Sequence, residues 1–471
     1  MSDVSVLRLS LLLVGLLGCG RSTFGLTPEE LSRCGTRCSD AQAHGDGQPT
    51  ADTDRPAMSW GEYILGLELP DCPVSPYVDL VVDTTSMESE APTGVIGDLT
   101  LTDPSEAGPE LSLREALWLA AHRDGNNTIR FAPAVFPLAA PATIDIRNTE
   151  ILPQFLANTC ITGVGAGVRW RWQAPDSGDS GVMCRFSLND GSLMVGLELA
   201  NVWVQPPLMG AQLAGCSVEI AQISVFNAGN GTHVGPANMF WGSGSVFRND
   251  SPGTGITVEG NYFGFDPRVG RALPLLNVAA IFASLEFRDN IFSVGVSGSL
   301  DAAFLDNSST VLIHNNRFGV PGNGSESLPT PSSFIYASSG RWRIEAGSQF
   351  TGAAGAAITV ANSAILTLTQ SSVFANAGGG IVAGAGVTLP ASPTITGVTA
   401  QEVDGFCTEA GTVEVFADRG NQGEFYLGTT ACEANAAFQL SVAVPTQLNL
   451  TATVTTATGA TSSFSAPVPA P

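Results

Sequence analysis

Lysine is absent from this 471-residue sequence, and all 20 basic residues are arginine. Set against 43 acidic residues, they leave a net charge of −23 at pH 7. Nucleic acid is therefore not an expected partner, because a polyanion would meet an unfavourable field. Acidic glycans would need bridging Ca²⁺, and the chain has no Asp-rich loop with calcium-site spacing. No cofactor is expected, and Ca²⁺ stays an unsupported alternative.

Charged residues are scarce at 13% of the chain, whereas 44% of the residues are hydrophobic. A chain of this length and composition can bury a large core, which argues against disorder. The 53 glycines and 29 prolines leave little room for long helices, and Val, Ile, Thr and Phe fall in short runs between them. This pattern predicts an all-β protein with many turns. P-loop, serine-hydrolase and zinc-protease motifs are also missing from the sequence.

The N-terminus has the pattern of an export signal. An apolar run at 9–17 follows Arg8 and is too short to span a bilayer. The sequence L-L-G-C at 16–19 resembles the lipobox of bacterial lipoproteins, which implies a signal peptide over 1–18 and lipid attachment to Cys19. Gly20, rather than Asp, follows Cys19, and by the same resemblance this favours the outer membrane. The resemblance implies a lipid-anchored protein of the cell envelope, at the outer membrane or cell surface; an ordinary secretory signal is the alternative.

Eight cysteines remain after Cys19, and in an exported protein they favour disulfides. We predict the pairs Cys407–Cys432 and Cys160–Cys184 and leave the other connectivity open. One alternative is half a zinc site at 34–38, but no second Cys or His pair with ligand spacing follows, so no metal site is predicted. The remaining cysteines are Cys34, Cys38, Cys72 and Cys216.

A folded domain is expected to begin after residue 75. Residues 19–75 carry Gly, Asp, Thr and Pro with little periodicity, which is typical of a tether. The first strand candidate is 77–83. Ser112 and Glu115 then have the spacing of a capping box, and the apolar residues after them fall on one helix face. The pattern predicts a helix over 112–123.

A resemblance to a known family begins at this helix. The C-S-L-R-E-A motif that opens many secreted bacterial parallel β-helix proteins is similar to L-S-L-R-E-A at 111–116, followed here by N-N-T-I-R-F at 126–131. In that family the helix caps the open end of the solenoid, where an uncovered rung would leave strand edges unpaired. The resemblance implies the same cap here. Leu111 stands where the family usually has cysteine, so any disulfide that the family forms there is absent.

An Asn-x-Phe pattern recurs through the middle of the chain. It occurs at 261–263, 290–292 and 316–318, and in weaker form at 348–350 and 372–374, with spacings of 29, 26, 32 and 24 residues. Irregular periods of this size are typical of β-helix rungs interrupted by loops of different length. We expect the asparagines to line a turn as a hydrogen-bonded ladder rather than to bind a ligand.

Two folded domains are predicted. The sequence E-G-N-Y-F-G-F-D at 259–266 resembles the G-N-Y-I-G-T-D repeat of such proteins, and with the recurring pattern it predicts a right-handed parallel β-helix over 76–389. Short alternating strands separated by turns then predict a small β-sandwich over 390–471. The run G-T-V-E-V-F-A-D at 411–418 resembles bacterial immunoglobulin-like modules, and we expect a spacer or adhesion module.

One outward-facing column combines groups that can do chemistry. Alignment of the rungs on their phenylalanines places Glu259, Arg288 and His314 above one another, about 4.8 Å apart. A carboxylate, a guanidinium and an imidazole at that spacing can share a substrate or transfer a proton. The alternative, which we favour, is an exposed ion pair beside a surface histidine. A second, weaker patch in the following loop consists of Asp266, Arg268 and Arg271.

Two classes of function remain. A surface-displayed scaffold or adhesin would use the flat face of the β-helix to contact neutral glycans or proteins, and this is the class we favour. The rival is a polysaccharide lyase or glycoside hydrolase acting on an exposed face, although fold alone does not establish activity. A hydrolase needs paired carboxylates and a lyase needs a base beside cation-bound carboxylates, and only the Glu259 column approaches either arrangement. The expected partners are the membrane, through the lipid on Cys19, and a glycan or protein ligand.

Overall fold

A computed structural model describes residues 58–87, 110–146, 156–173, 191–202, 207–208, 211–220, 226–228, 231–248, 255–273, 275–278, 284–293, 300–301, 310–319 and 333–471. The predicted signal peptide, Cys19, Cys34, Cys38 and Cys184 lie outside these ranges. Two helices are described, α1 (Trp60–Ile64) and α2 (Leu113–His122). Neither of them has the length and apolar character needed to cross a membrane.

The solenoid is a parallel β-helix, as predicted. In its first sheet, eleven described strands pair in parallel in this order: Leu80–Val82, Asn127–Phe131, Thr159–Thr162, Leu193–Val195, Gln212–Ala214, His233–Val234, Gly255–Glu259, Ser284–Arg288, Thr310–His314, Arg341–Ile344 and Ile365–Leu368. The second sheet follows the same course through Ala142–Ile146, Val168–Trp172, Glu198–Val202, Ser217–Ile220, Met239–Ser245, Tyr262–Phe263, Ile291–Phe292, Arg317–Phe318, Gln349–Thr351 and Ser372–Phe374, with Leu275–Asn277 beside Met239–Ser245.

Shorter strands form the third face of the solenoid. They fall into two parallel groups, Pro207–Leu208, Phe226–Ala228 and Phe247–Arg248, and then Leu300–Asp301, Ile335–Ala337, Ile358–Val360 and Ile381–Ala383. A small antiparallel hairpin, Phe265–Asp266 with Arg271–Ala272, projects from the same body.

The core consists of inward side chains that stack from rung to rung. Because strands alternate, one side of each strand packs inward, and parallel register places equivalent side chains above one another. Burial of each large apolar side chain contributes about 1.5–3 kcal/mol relative to exposure. Five buried phenylalanines stack almost parallel, with 4.4–5.1 Å between ring centroids, in the order Phe240, Phe263, Phe292, Phe318 and Phe350.

The last predicted repeat, at 372–374, was aligned wrongly by one residue. Strand pairing joins Phe350 to Val373, so Val373 takes the interior position and Phe374 is only half-buried. Ser371, rather than Ser372, is the fully buried residue at the corner. The sequence offers a serine at both 371 and 372, and Phe374 favours the register that starts at Ser372; only the strand pairing shows that the rung is aligned on Ser371 and Val373.

The predicted capping helix is confirmed as α2. The Ser112 hydroxyl accepts a hydrogen bond from the Glu115 N–H at 3.3 Å, and the Glu115 carboxylate accepts one from the Ser112 N–H at 2.9 Å. This capping box satisfies donors that a helix start leaves unpaired. Leu113 and Leu117 are fully buried, and the helix packs against the first two strands of the first sheet. The helix therefore covers the N-terminal end of the core.

Residues 58–75, which we call the N-terminal strap, pack along the outside of the solenoid. They are the described end of the segment predicted to be a tether. The strap begins with α1, where the Trp60 indole N–H donates to the Gly215 carbonyl at 2.7 Å. Gly215 has a φ of +58°, a conformation that favours glycine, and a Cβ there would also have to displace the tip of the Leu69 side chain, 2.6 Å away. Near the other end, Ser75 donates to the carbonyl of Asn126 at 2.7 Å.

A disulfide joins the strap to the solenoid, and it overturns one predicted pairing. Cys160 is bonded to Cys72, with a Cα–Cα distance of 5.5 Å, so the predicted Cys160–Cys184 bond is wrong. The Cys160 side chain belongs to a small cluster with Leu193 and Ala214 that packs under the strap, separate from the main core. Cys216, counted among the disulfide candidates, is a buried free thiol.

The C-terminal part is a two-sheet antiparallel β-sandwich, as predicted. One sheet contains Thr394–Thr399, Glu402–Cys407 and Ala436–Ser441; the other contains Phe425–Cys432, Gly411–Asp418, Asn449–Thr456 and Val468–Pro469. The predicted disulfide between Cys407 and Cys432 is confirmed. It lies in the apolar layer between the sheets.

The sandwich closes the last rung of the solenoid, a role that differs from that of the expected spacer. At the second sheet, Val373 and Gly423 exchange backbone hydrogen bonds of 2.7 and 2.6 Å. At the first sheet, the Thr461 N–H donates to the Leu366 carbonyl at 2.8 Å. At the third face, Ser463 donates to the carbonyl of Ile381 at 2.9 Å. Backbone groups that a terminal rung would leave unpaired thus find partners in the sandwich.

Candidate functional site

The asparagine ladder is structural, as predicted. Its side-chain amides are fully buried at the corner between the first and second sheets, and each donates to the carbonyl oxygen of the next. The distances are 2.9 Å for Asn238–Asn261, 3.0 Å for Asn261–Asn290 and 2.9 Å for Asn290–Asn316. Because these amides bond one another and main-chain carbonyls, none is directed at a ligand. Sequence reasoning missed Asn238, although N-M-F at 238–240 matches the same pattern.

The three residues of the predicted column do stack in register. Glu259 pairs with Arg288, and Arg288 pairs with His314, on adjacent strands of the first sheet. Their side chains do not converge, however. Arg288 turns along its own strand and donates to the Glu286 carboxylate at 2.7 Å, which raises the pKa of the guanidinium. Arg288 and His314 are exposed. These two residues therefore match the alternative interpretation, an exposed ion pair beside a surface histidine.

Glu259 is instead close to His233 on the preceding rung. Its carboxylate oxygen lies 3.7 Å from the Nε2 of His233, and both side chains are more than a third exposed. His233 also lines a shallow groove of about 290 Å³ with Gln212 and with Asp71 of the strap. An exposed pair of this kind contributes little to stability.

The second predicted patch is also structural. Asp266 is buried and accepts two hydrogen bonds from the Arg268 guanidinium, at 3.0 and 2.9 Å. The same guanidinium lies 5.7 Å from the ring centroid of Trp60 in α1. Arg271 faces Asp266 across the small hairpin but is exposed. Asp266 and Arg268 therefore hold the hairpin and α1 together.

A groove that sequence analysis did not find lies on the outer face of the second sheet. It has a volume of about 260 Å³ and spans four successive rungs. Parallel register explains how residues far apart in sequence meet there, because Arg169 pairs with Glu198, Glu198 with Ser217, and Glu219 with Trp241. The lining residues are Arg169, Arg171, Glu198, Leu199, Ser217, Glu219 and Trp241.

The two arginines of this groove are held by carboxylates. Arg169 donates to one oxygen of Glu198 at 2.9 and 2.6 Å. Arg171 makes a bidentate pair with Asp145 at 2.6 and 2.8 Å, and this pair raises the pKa of the guanidinium. Planar fork-to-carboxylate pairs of this type fix side-chain orientation. The polar end of the groove is therefore ordered before any ligand arrives.

Trp241 forms the aromatic end of the groove. It is half-buried and packs against the apolar cluster of α1 and Met239. Its indole N–H is buried and has no hydrogen-bond acceptor within the described part of the chain. A tryptophan fixed on one side by packing offers a rigid apolar surface beside charged groups.

The acids with raised pKa values lie elsewhere. Burial raises the pKa of Glu414 to about 7, and it also raises the pKa of Glu424; both residues belong to the sandwich. Across the described ranges, no three His, Cys, Asp or Glu side chains come together as a metal site would require. Comparison of the whole chain with protein-family models and with curated proteins finds no match.

Proposed function

We propose that this protein is a cell-envelope lipoprotein whose β-helix is a binding scaffold for glycans. The supporting observation is the groove on the second sheet, where Trp241 lies beside two carboxylates and two ordered guanidiniums. Sugars have apolar ring faces and many hydroxyl groups, and this combination of side chains complements both. The side chains project from adjacent strands, which hold them in a defined arrangement.

The size of the groove favours a sugar over a protein. Its volume of about 260 Å³ is slightly below the roughly 300–1,000 Å³ of pockets for drug-sized ligands. A stable protein interface needs about 800 Å² on each partner. A groove this small is better suited to a short part of a sugar chain than to a protein surface.

The binding experiment uses the full-length protein in mild detergent. Neutral oligosaccharides of glucose and of N-acetylglucosamine are titrated by calorimetry into the wild type, Trp241→Ala, Arg171→Ala and the control Phe406→Ala, which changes an exposed aromatic of the sandwich. We expect binding by the wild type and the control, and weaker binding by both groove variants. Arg171 is about half exposed, so its variant does not depend on core packing.

Two outcomes would reject the proposal. Absence of binding to every oligosaccharide would exclude a glycan scaffold. New reducing ends or unsaturated products from any oligosaccharide would establish the alternative, a polysaccharide-degrading enzyme.

The lipid anchor is a separate part of the proposal. It is supported by the L-L-G-C sequence at 16–19 behind an apolar run. Incorporation of labelled palmitate during expression should occur in the wild type and in Cys34→Ser, and it should be lost in Cys19→Ser. A wild type without label, or a Cys19→Ser protein that keeps it, would refute the anchor.

A further inference from the structure

We infer that the groove selects amino sugars, meaning glycans with a free ammonium group, and that Glu219 is the selecting residue. This inference rests on the proposed glycan-binding function and specifies its ligand class. The charges that line the groove are unequally paired, because both arginines are bonded to carboxylates and Glu219 is not bonded to either arginine.

The positive charges of the groove are already neutralised. Arg169 is bonded to Glu198, and Arg171 is bonded through both nitrogens of its fork to Asp145. A uronate or sulfate would have to displace these carboxylates before it could bond a guanidinium. It would also approach a chain with a net charge of −23. Acidic glycans are therefore poor ligands for this groove.

The Glu219 carboxylate, in contrast, has no partner among the residues that the structure describes. Within the described ranges, no side chain pairs with it by hydrogen bond or ion pair, although it is half-buried in the wall of the groove. An ionised carboxylate in such a position favours a ligand that brings a positive charge or strong donors. An ammonium group supplies both.

Trp241 places an aromatic ring next to this carboxylate. Glu219 and Trp241 are paired residues on adjacent strands, and both line the groove. The face of an indole ring attracts a cation and also covers the apolar face of a sugar ring. A neutral sugar would use only the second contact and would leave the Glu219 charge uncompensated. An amino sugar uses both contacts.

The test compares ligands that differ only in acetylation. Chitosan hexamer, which carries free amines, and the N-acetylated chitin hexamer are titrated into the full-length protein at the same pH and salt concentration, below the point where the amines lose their protons. We expect chitosan to bind at least about tenfold more tightly, which corresponds to about 1.4 kcal/mol, because its ammonium groups can make a charge-assisted hydrogen bond with Glu219. Glu219→Gln should remove this preference but keep binding of the chitin hexamer. Glu433→Gln removes the same charge from an exposed site of the sandwich and should keep the preference.

The outcomes separate this inference from the proposed function. Equal affinity for the two hexamers would overturn the amino-sugar selection and leave glycan binding intact. Loss of the preference in Glu433→Gln as well, or equally tight binding of a lysine hexamer, would mean that net charge attracts any cation, and it would also overturn the inference. If neither hexamer binds, the inference fails, and the proposed function fails with it only when the glucose oligosaccharides do not bind either.

Discussion

Asn376, in the last turn of the solenoid, is bonded to Gln422 of the sandwich in both directions. Its side-chain amide donates to the Gln422 carbonyl oxygen at 2.9 Å, and Gln422 donates back to the main-chain carbonyl of Asn376 at 2.7 Å. The Asn376 N–H also donates to the Gln422 oxygen, at 3.3 Å. The ladder repeats this pattern, since the N–H and the amide of Asn290 both donate to Asn316. Gln422 thus replaces the side chain of a further rung.

Replacement of Gln422 should therefore weaken the closure of the solenoid. In Gln422→Ala the buried N–H and carbonyl of Asn376 lose their partners, which costs about 1–3 kcal/mol for each unsatisfied group. The free energy of unfolding, from urea titration, measures the effect. The control is Gln439→Ala, because Gln439 is exposed in the sandwich. If the two variants unfold at the same urea concentration, Gln422 does not contribute as stated.

The centre of the ladder should be sensitive to truncation. Asn290 donates to the carbonyl of Val258 at 2.8 Å and to Asn316, and it accepts from Asn261. Asn290→Ala leaves buried groups unpaired on both neighbouring rungs, so we expect a loss of at least about 2 kcal/mol in the free energy of unfolding. Arg317→Ala, an exposed change on an adjacent rung, should shift it by less than about 0.5 kcal/mol. Similar unfolding midpoints for these two proteins would refute a stabilising ladder.

Glu414 should make stability depend on pH. This buried carboxyl accepts hydrogen bonds from the Gln370 N–H at 3.2 and 3.1 Å, but desolvation is the larger effect and raises its pKa from 4.5 to about 7. The folded protein therefore holds this proton more tightly than the unfolded chain does. The stabilisation is complete below pH 4.5 and is lost as the pH rises through about 7, with a size on the order of 3 kcal/mol.

The Glu414→Gln variant isolates this contribution. A neutral amide can still accept the hydrogen bond from Gln370, so the variant should be more stable than the wild type at pH 8 and should lack this part of the decline between pH 4.5 and 7. Urea unfolding at a series of pH values measures both profiles, with Glu433→Gln as the exposed control. Parallel profiles for the wild type and Glu414→Gln would contradict the assignment.

The disulfide of the strap should stabilise the fold and should be detectable by mapping. The Cys72–Cys160 bond spans a sequence separation of 88 residues, and loss of a native disulfide typically costs about 2–5 kcal/mol. We expect Cys72→Ser to unfold at a lower urea concentration than Cys184→Ser. Mass spectrometry of the unreduced digest should contain a cross-linked peptide with Cys72 and Cys160. A peptide that joins Cys160 to Cys184 would restore the pairing predicted from the sequence.

Local patterns in the sequence determined much of the architecture. Ser112 and Glu115 are three residues apart, so their capping box forms within a single turn and is visible in the chain itself. The repeated Asn-x-Phe units predicted the stacked interior because each rung repeats the same environment. Cys407 and Cys432, separated by 25 residues, lie at the ends of strands in the two facing sheets, and their predicted bond is confirmed.

Only the tertiary structure decided which distant residues meet. The groove draws Arg169, Glu198, Glu219 and Trp241 from four rungs, and loops of unequal length between rungs conceal their register in the sequence. The same ambiguity caused the one-residue error at Val373. The sequence also does not show which carboxylate an arginine bonds. Arg288 lies close to Glu286 on its own strand and to Glu259 on the neighbouring strand, and the structure shows that it bonds Glu286. Short-range order is encoded within each rung, whereas the strap, the groove and the closing sandwich depend on contacts between residues that are far apart in the sequence.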